Sequence, residues 1–120
     1  DIVKILKDNL EESFNNTLIL TLTEFGRTIK QNGGNGTEHG WGGAILIAGG
    51  LIKKAQVFTD WPGLNKKDLF EGRDLLSTLD SRAVYLSAMS VCFNNDIEKM
   101  RHDVFWGEQL PDLTNILFTS

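Results

Sequence analysis

A glycine-rich polar stretch from Thr23 to Gly43 separates two apolar runs and limits what this chain can fold into. It reads TEFGRTIKQNGGNGTEHGWGG, and seven of the twelve glycines of the chain lie within it. Glycine is favoured in turns and destabilises the interior of helices and strands. The composition therefore predicts a long loop that no regular element crosses, and loops of this length usually carry function.

The segments on either side of this loop predict an α/β fold. Asp1 to Phe14 reads as an amphipathic helix, because its apolar residues recur three or four positions apart, and we expect its apolar stripe to cover a sheet. Thr17–Thr23 is β-branched and leucine-rich with little polarity, as in a strand buried on both faces, and Ala44–Ala48 predicts a second such strand. A helix that leads into a buried strand indicates helices layered on a sheet.

The second half of the chain predicts two helices among irregular segments. The predicted elements are an edge strand or hairpin arm at Leu51–Phe58, a turn at 60–63, a helix capped by Asp80 or Ser81 and ending near Phe93, and a short helix from Ile97 to His102 or slightly beyond. We expect the tail from 105 to 120 to be irregular and pinned to the core by its apolar side chains.

Composition restricts the class of protein. The chain of 120 residues suits a single domain with one core. The net charge of -4 gives no electrostatic reason to expect a nucleic-acid partner, and no apolar run reaches the roughly 20 residues of a membrane span. The single cysteine, Cys92, cannot form an internal disulfide, and its apolar setting predicts a buried helix position rather than a nucleophile.

Four polar side chains of the glycine-rich stretch are candidates for chemistry. Glu24 follows a predicted strand, so it is either a ligand or acid/base group or a carboxylate paired with Arg27. As a neutral imidazole, His39 could bind a divalent metal together with Glu24 or Glu38, or it could be a loop histidine hydrogen-bonded to backbone. The guanidinium of Arg27 suits phosphate, sulfate or carboxylate, including the neighbouring carboxylates.

Other polar and aromatic residues have simpler interpretations. His102 lies in the charged run KMRHD and is expected to be exposed to solvent, whereas Trp41 and Trp61 are expected to be packing residues. The glycine-rich stretch has neither the Gly-Lys-Ser/Thr ending of a P-loop nor the GxGxxG spacing of a dinucleotide site. Nucleotide binding through either motif is therefore not predicted.

Four sequence blocks in fixed order resemble a known family. They are LILTLTEFGRT, NGGNGTEHGWGGAILIAGGLIK, QVFTDWPGL and VFWGEQLPDLTNI, and they resemble the C-terminal part of the bacterial sulfatase-like family called domain of unknown function 1501, which is similar to the alkaline phosphatase superfamily. The resemblance implies the C-terminal portion of an alkaline-phosphatase-like sheet flanked by helices, a fragment of a larger α/β domain. It also implies export in bacteria, and a partner over the exposed sheet edge, either the remainder of the parent domain or a second copy in a homo-oligomer.

The resemblance also assigns roles to residues of the glycine-rich stretch. In the superfamily, one strand ends in a Ser/Ala-Asp-His-Gly motif whose Asp and His bind metal, and a later Gly-x-His segment supplies another histidine. By position, Glu24 resembles the Asp of the first motif and His39 the histidine of the second, with Glu38 beside it. This implies a divalent metal such as zinc, calcium or magnesium at Glu24, Glu38 and His39, and an anionic ester substrate at Arg27.

Two hypotheses about function follow from the resemblance. The first is that the parent protein is a metal-dependent hydrolase of phosphate or sulfate esters. These 120 residues alone would then be inactive, because the superfamily's nucleophile comes from an N-terminal half. The second is a non-catalytic binding or structural domain that keeps the fold. Phe25 favours the second, because it stands where the first motif has a histidine and a phenyl ring cannot coordinate a cation.

Overall fold

The structure, a computed structural model, describes residues 1–119. In chain order its regular elements are α1 (Ile2–Leu10), a 3₁₀ helix (Glu11–Asn16), β1 (Ile19–Leu20), β2 (Gly26–Gln31), β3 (Thr37–Gly40), β4 (Ile47–Ala48), a second 3₁₀ helix (Lys66–Asp68), α2 (Ser81–Phe93), α3 (Ile97–Phe105) and α4 (Thr114–Leu117). Pairing of β1 with β4 and of β2 with β3 gives two small antiparallel sheets. This confirms a mixed α/β class.

The chain divides into two compact units. The helical unit comprises Asp1–Leu20, Leu46–Gln56 and the chain from Asp80 onward, and it contains the four helices and the β1–β4 sheet. The hairpin unit comprises Thr21–Ile45 and Val57–Leu79, and it contains the β2–β3 sheet. All four sequence-predicted site residues belong to the hairpin unit.

Helix α1 confirms the predicted helix but not its predicted packing. Asp1 caps it by accepting a hydrogen bond from the Lys4 N–H at 3.4 Å. The prediction that its apolar stripe covers a sheet is wrong for the described chain, because no residue of α1 is buried and the side chains of Ile2 and Ile5 are 72% and 58% exposed. The amphipathic pattern specifies a face that can be buried, but it does not supply the partner.

The β1–β4 sheet is shorter and less buried than predicted. Only two residues of each strand pair, with Ile19 opposite Ala48, so the predicted strand at Thr17–Thr23 is wrong in its extent. Its burial is also wrong, because Leu22 is 80% exposed. An apolar run favours a strand, but the partner backbone sets how much of the run pairs. The predicted edge strand at Leu51–Phe58 is likewise reduced to one bridge from Ile52.

Helix α2 forms the centre of the helical unit, as its capping signal predicts. Asp80 accepts a hydrogen bond from the Arg82 N–H at 2.9 Å, and the helix ends at Phe93, before Asn94 in the left-handed region. Its buried face consists of Ala83, Val84, Leu86, Ser87 and Ala88. Cys92 lies on the same helix and is half-buried, and burial raises the pKa of its thiol.

The tail is anchored by apolar side chains, as predicted, although not by all of those expected. Leu110, Leu113, Leu117 and Phe118 are buried together with Met100 of α3, whereas Trp106 and Ile116 are exposed. Ser87 ties the tail to α2: its hydroxyl donates to the Ala83 carbonyl at 2.8 Å and accepts from the Leu113 N–H at 2.9 Å. The buried hydroxyl therefore satisfies a backbone group of the tail.

In the hairpin unit the predicted long loop is wrong, because the glycine-rich stretch folds into the β2–β3 hairpin. The turn between the strands is organised by Asn32, whose side-chain oxygen accepts hydrogen bonds from the N–H groups of Gly34 and Gly36 at 2.9 and 3.1 Å. Asn35 adopts a left-handed φ of 61°. The run NGGNG thus supplies turn chemistry for a hairpin.

A tight turn adds a third piece of backbone beside β2. Phe70 and Asp74 exchange two backbone hydrogen bonds of 3.0 Å, and Asp74 forms a bridge to Thr28. The Leu75 N–H then donates to the carbonyl of Arg27 at 3.2 Å. Thr28 and Asp74 are buried, so this turn gives the hairpin unit its polar centre. The rest of 57–79 is largely irregular. Residues 60–63, where a turn is predicted, have no assigned turn.

Candidate functional site

The hairpin brings Arg27 and His39 to directly opposed positions. Gly26 pairs with Gly40 and Arg27 with His39 in the β2–β3 register. Residues directly opposite in an antiparallel pair project to the same face, so a guanidinium and an imidazole share one face of the hairpin. We call this surface the Arg27–His39 face. It is open to solvent, since both residues are exposed.

Two contacts hold the guanidinium of Arg27. Its Nη1 donates a hydrogen bond to the carbonyl of Thr37 at 3.1 Å, and its Cζ lies 5.4 Å from the centroid of the Phe25 ring. The second distance is typical of a cation–π interaction. The predicted ion pair between Arg27 and Glu24 is not formed, so the positive charge of Arg27 faces solvent without a carboxylate partner within residues 1–119.

His39 is held by ring stacking. The rings of Phe25 and His39 have centroids 3.7 Å apart and planes inclined by 21°. Across the described part of the chain, no hydrogen bond reaches the imidazole, so the interpretation of His39 as a loop histidine bonded to backbone is not the arrangement observed. Both ring nitrogens therefore remain available to a ligand.

Glu24 lies immediately before Phe25 and is exposed. From Asp1 to Thr119, its carboxylate has no hydrogen bond or ion pair. The neighbouring backbone is fixed by Thr23, whose hydroxyl donates to the carbonyl of Phe25 at 3.0 Å. The structure thus leaves a carboxylate without a partner next to the residue that stacks on His39.

Glu38 belongs to the opposite face of the hairpin. Consecutive strand residues alternate between faces, so the side chains of Glu38 and His39 diverge. The Glu38 carboxylate accepts a hydrogen bond from the Asn32 amide at 2.8 Å, and it lines an open cleft of about 260 Å³ that also contains Lys30 and Arg73. Arg73 is paired with buried Asp74 at 2.6 Å, and this hydrogen bond raises the pKa of the guanidinium. Glu38 and His39 therefore do not face one point.

The positions of the side chains that could coordinate a metal ion can be compared with the predicted metal site. Among the residues described, no three side chains of His, Cys, Asp or Glu converge closely enough to hold a metal ion. The imidazole of His39 lies on the Arg27–His39 face, and Glu24 directly precedes the Phe25 that stacks on it. The metal at Glu24, Glu38 and His39 stays a prediction.

The span that carries this geometry matches a known family. The profile described as "Protein of unknown function (DUF1501)" matches residues 3–96, which include the whole hairpin. The chain belongs to this family. The resemblance read from the sequence blocks is confirmed to this extent. Neither the curated proteins nor the solved structures gave a match.

This DUF1501 chain also carries site features that sequence reasoning did not find. Trp41 and Trp61, both predicted to be packing residues, are 60% and 58% exposed. The Trp41 ring packs on Phe70, with centroids 5.0 Å apart and planes inclined by 18°. No periodicity signals this pair, because Phe70 belongs to an irregular segment. The Asn-Gly dipeptides of the turn did contain a usable hairpin signal.

His102 is exposed on α3, where its Nδ1 lies 2.8 Å from the Asp103 carboxylate, which confirms the surface interpretation. In the part of the chain that the structure covers, the helices are too short and too polar for a membrane crossing.

Proposed function

We propose that this chain is part of a metal-dependent hydrolase of phosphate or sulfate esters, with a fold similar to that of the alkaline phosphatase superfamily. One observation supports this more than any other. Two segments that the resemblance assigns to one metal centre meet in the hairpin: Gly26 pairs with Gly40, and the Phe25 ring stacks on His39.

Under this proposal, His39 and Glu24 are part of a ligand set. Their chemistry fits, because a neutral imidazole and a carboxylate are both common ligands of divalent zinc, and neither has a hydrogen-bonding partner within 1–119. Glu38 fits less well, since its carboxylate is bonded to Asn32 on the other face. Catalytic zinc sites use three protein ligands, so the parent protein supplies the remainder. A bound divalent cation would polarise the ester oxygen.

Arg27 has the role of binding the anionic group of the ester. Its guanidinium stays charged at any physiological pH and can donate two parallel hydrogen bonds to a phosphate or sulfate. The Thr37 carbonyl and the Phe25 ring hold it in position beforehand. A donor that is fixed before the substrate arrives needs little reorganisation to stabilise negative charge. The nucleophile comes from another part of the parent protein.

The proposal includes partners and a compartment. The exposed stripe of α1 supports a partner that buries it, either the remainder of the parent domain or a second copy of this chain. Export in bacteria is also part of the proposal, and it depends on the family resemblance alone.

A second candidate function is a non-catalytic binding or structural domain. The observation that favours it is the phenyl ring of Phe25, which occupies the place of a coordinating histidine and covers one face of His39. In such a domain, the Arg27–His39 face would still bind anions, but no turnover would occur.

The experiment that separates the two functions measures turnover by the full-length protein. p-Nitrophenyl phosphate and p-nitrophenyl sulfate are assayed before chelation, after chelation, and after zinc, calcium or magnesium is restored. The hydrolase predicts turnover that disappears on chelation and returns with one metal. It also predicts that Arg27→Ala raises KM more than Lys30→Ala, which removes a cation from the same strand. Absence of both bound metal and turnover would favour the non-catalytic domain.

A further inference from the structure

Trp41 and Phe70 form an aromatic platform in the hairpin unit. Their rings lie 5.0 Å apart with planes inclined by 18°, an offset-stacked geometry. Phe70 is half-buried, whereas Trp41 is 60% exposed. One face of the indole is therefore supported by a ring, and much of the rest is open to solvent. Trp61 has nearly the same exposure, 58%, but no stacked ring partner among the described residues.

The backbone ties this platform to the Arg27–His39 face. The Arg27 N–H donates to the carbonyl of Gly42 at 2.9 Å, one residue after Trp41, and the Arg27 carbonyl accepts from Leu75 at 3.2 Å. Gly42 in turn donates to Leu75 at 2.7 Å. Leu75 directly follows the tight turn that carries Phe70, so hydrogen bonds join the backbone segments that bear Trp41, Phe70 and Arg27.

The platform is also close to the imidazole along the chain. Only Gly40 separates His39 from Trp41, so their Cα atoms are at most about 7 Å apart. The backbone packs closely here, because a Cβ atom added to Gly26 would clash with the Trp41 carbonyl. Trp41 thus directly follows the strand whose His39 lies opposite Arg27.

We infer that Trp41 and Phe70 form a subsite for the uncharged part of the ligand, and that the ligand is an anionic ester of a six-membered ring with a flat apolar face. This inference rests on the proposed function, because it assigns the anionic group to Arg27. An aryl group and a pyranose both present such a face to an indole. Ring stacking of this kind adds affinity beyond area burial, so the platform selects ring-bearing esters over short alkyl esters.

The test uses full-length protein and three sulfonates, because a sulfonate carries the SO3⁻ group of a sulfate ester on carbon and cannot be hydrolysed as an ester. Benzenesulfonate represents the aryl source, glucose with a sulfonate replacing its 6-hydroxyl represents the sugar source, and ethanesulfonate has no ring. Dissociation constants are measured by calorimetry for the wild type, Trp41→Leu, Trp61→Leu and Arg27→Ala. Leucine keeps apolar volume at each position, and Trp61→Leu is the control of matched exposure.

The expected result is about tenfold tighter binding of at least one ring sulfonate than of ethanesulfonate. Trp41→Leu removes this preference without changing ethanesulfonate binding, and Trp61→Leu keeps it. The ring sulfonate that is preferred identifies the source. The platform is overturned if Trp41→Leu still prefers a ring sulfonate to ethanesulfonate. It is also overturned if the wild type shows no such preference. If each sulfonate binds Arg27→Ala as tightly as it binds the wild type, the anion site of the proposed function is overturned instead. If no sulfonate binds, both the platform and the anion site are contradicted.

Discussion

The phenyl ring of Phe25 stacks on the imidazole of His39, with the ring centroids 3.7 Å apart. Under the proposed function, Phe25 stands where the alkaline phosphatase superfamily has a metal-binding histidine, and His39 is a metal ligand. A side chain at position 25 lies directly beside the imidazole, so exchanging this one ring tests the geometry of the site.

Phe25→His is expected to increase the affinity of the full-length protein for zinc. The substitution places a second imidazole against His39, and two imidazoles bind zinc better than one. Zinc affinity is measured by competition with a chromophoric chelator. The control is Phe25→Leu, which removes the ring without adding a donor. Equal zinc affinity in Phe25→His, Phe25→Leu and the wild type would show that position 25 does not face a metal.

Gly40→Ala is expected to destabilise the hairpin unit. A Cβ atom at Gly40 would lie 2.5 Å from the carbonyl carbon of Arg27, whereas one at Gly33 meets nothing within 4 Å. Overpacking of this kind costs about 1–3 kcal/mol of unfolding free energy. Denaturant titration of both variants measures the difference, with Gly33→Ala as the matched control. Equal stability of the two variants would refute the close pairing of β2 and β3.

Ser87→Ala is expected to lower the free energy of unfolding by about 1–3 kcal/mol, because it leaves the buried Leu113 N–H without its acceptor. Ser90→Ala provides the control on the same helix, since its hydroxyl donates to the Asn95 carbonyl at an exposed position. Denaturant midpoints of the two variants are compared. A smaller loss for Ser87→Ala than for Ser90→Ala would show that the tail does not depend on this hydroxyl.

Asp80→Asn is expected to reduce the loss of stability in acid. The hydrogen bond from Arg82 lowers the pKa of Asp80 in the folded protein. A lowered folded pKa means that the stabilisation is present above the unfolded value of about 3.9 and is lost as pH falls through the folded value. Asparagine still caps a helix but does not titrate there. Urea midpoints are compared at about pH 6 and about pH 2.5, and identical acid losses in both proteins would contradict the assignment.

The helices could be predicted from sequence because their signals are local. Asp80 and Asp96 each accept a hydrogen bond from a backbone N–H in the first turn of the helix that follows, so capping residues mark the starts of α2 and α3 correctly. The hairpin is harder to predict. High glycine content indicates irregular chain, whereas in the structure the side chain of Asn32 organises those glycines into a turn.

The candidate site was predictable in its residues but not in its contacts. Sequence identifies Arg27 and His39, and the strand register then puts them on one face. It does not predict that Glu38 turns away, because that depends on strand alternation within a segment interpreted as loop. The pairing of Trp41 with Phe70 depends on a tight turn distant in sequence, which no local pattern indicates.

The metal content of the full-length protein tests the proposed site most directly. Wild type, His39→Ala and His102→Ala are purified in parallel, and their bound divalent metal is measured by mass spectrometry after dialysis. His102 is the matched control, because its exposed imidazole is paired with Asp103 on α3. The account predicts metal in the wild type and in His102→Ala, and most of it lost in His39→Ala. Equal metal in His39→Ala and the wild type, or none in the wild type after zinc is supplied, would contradict it.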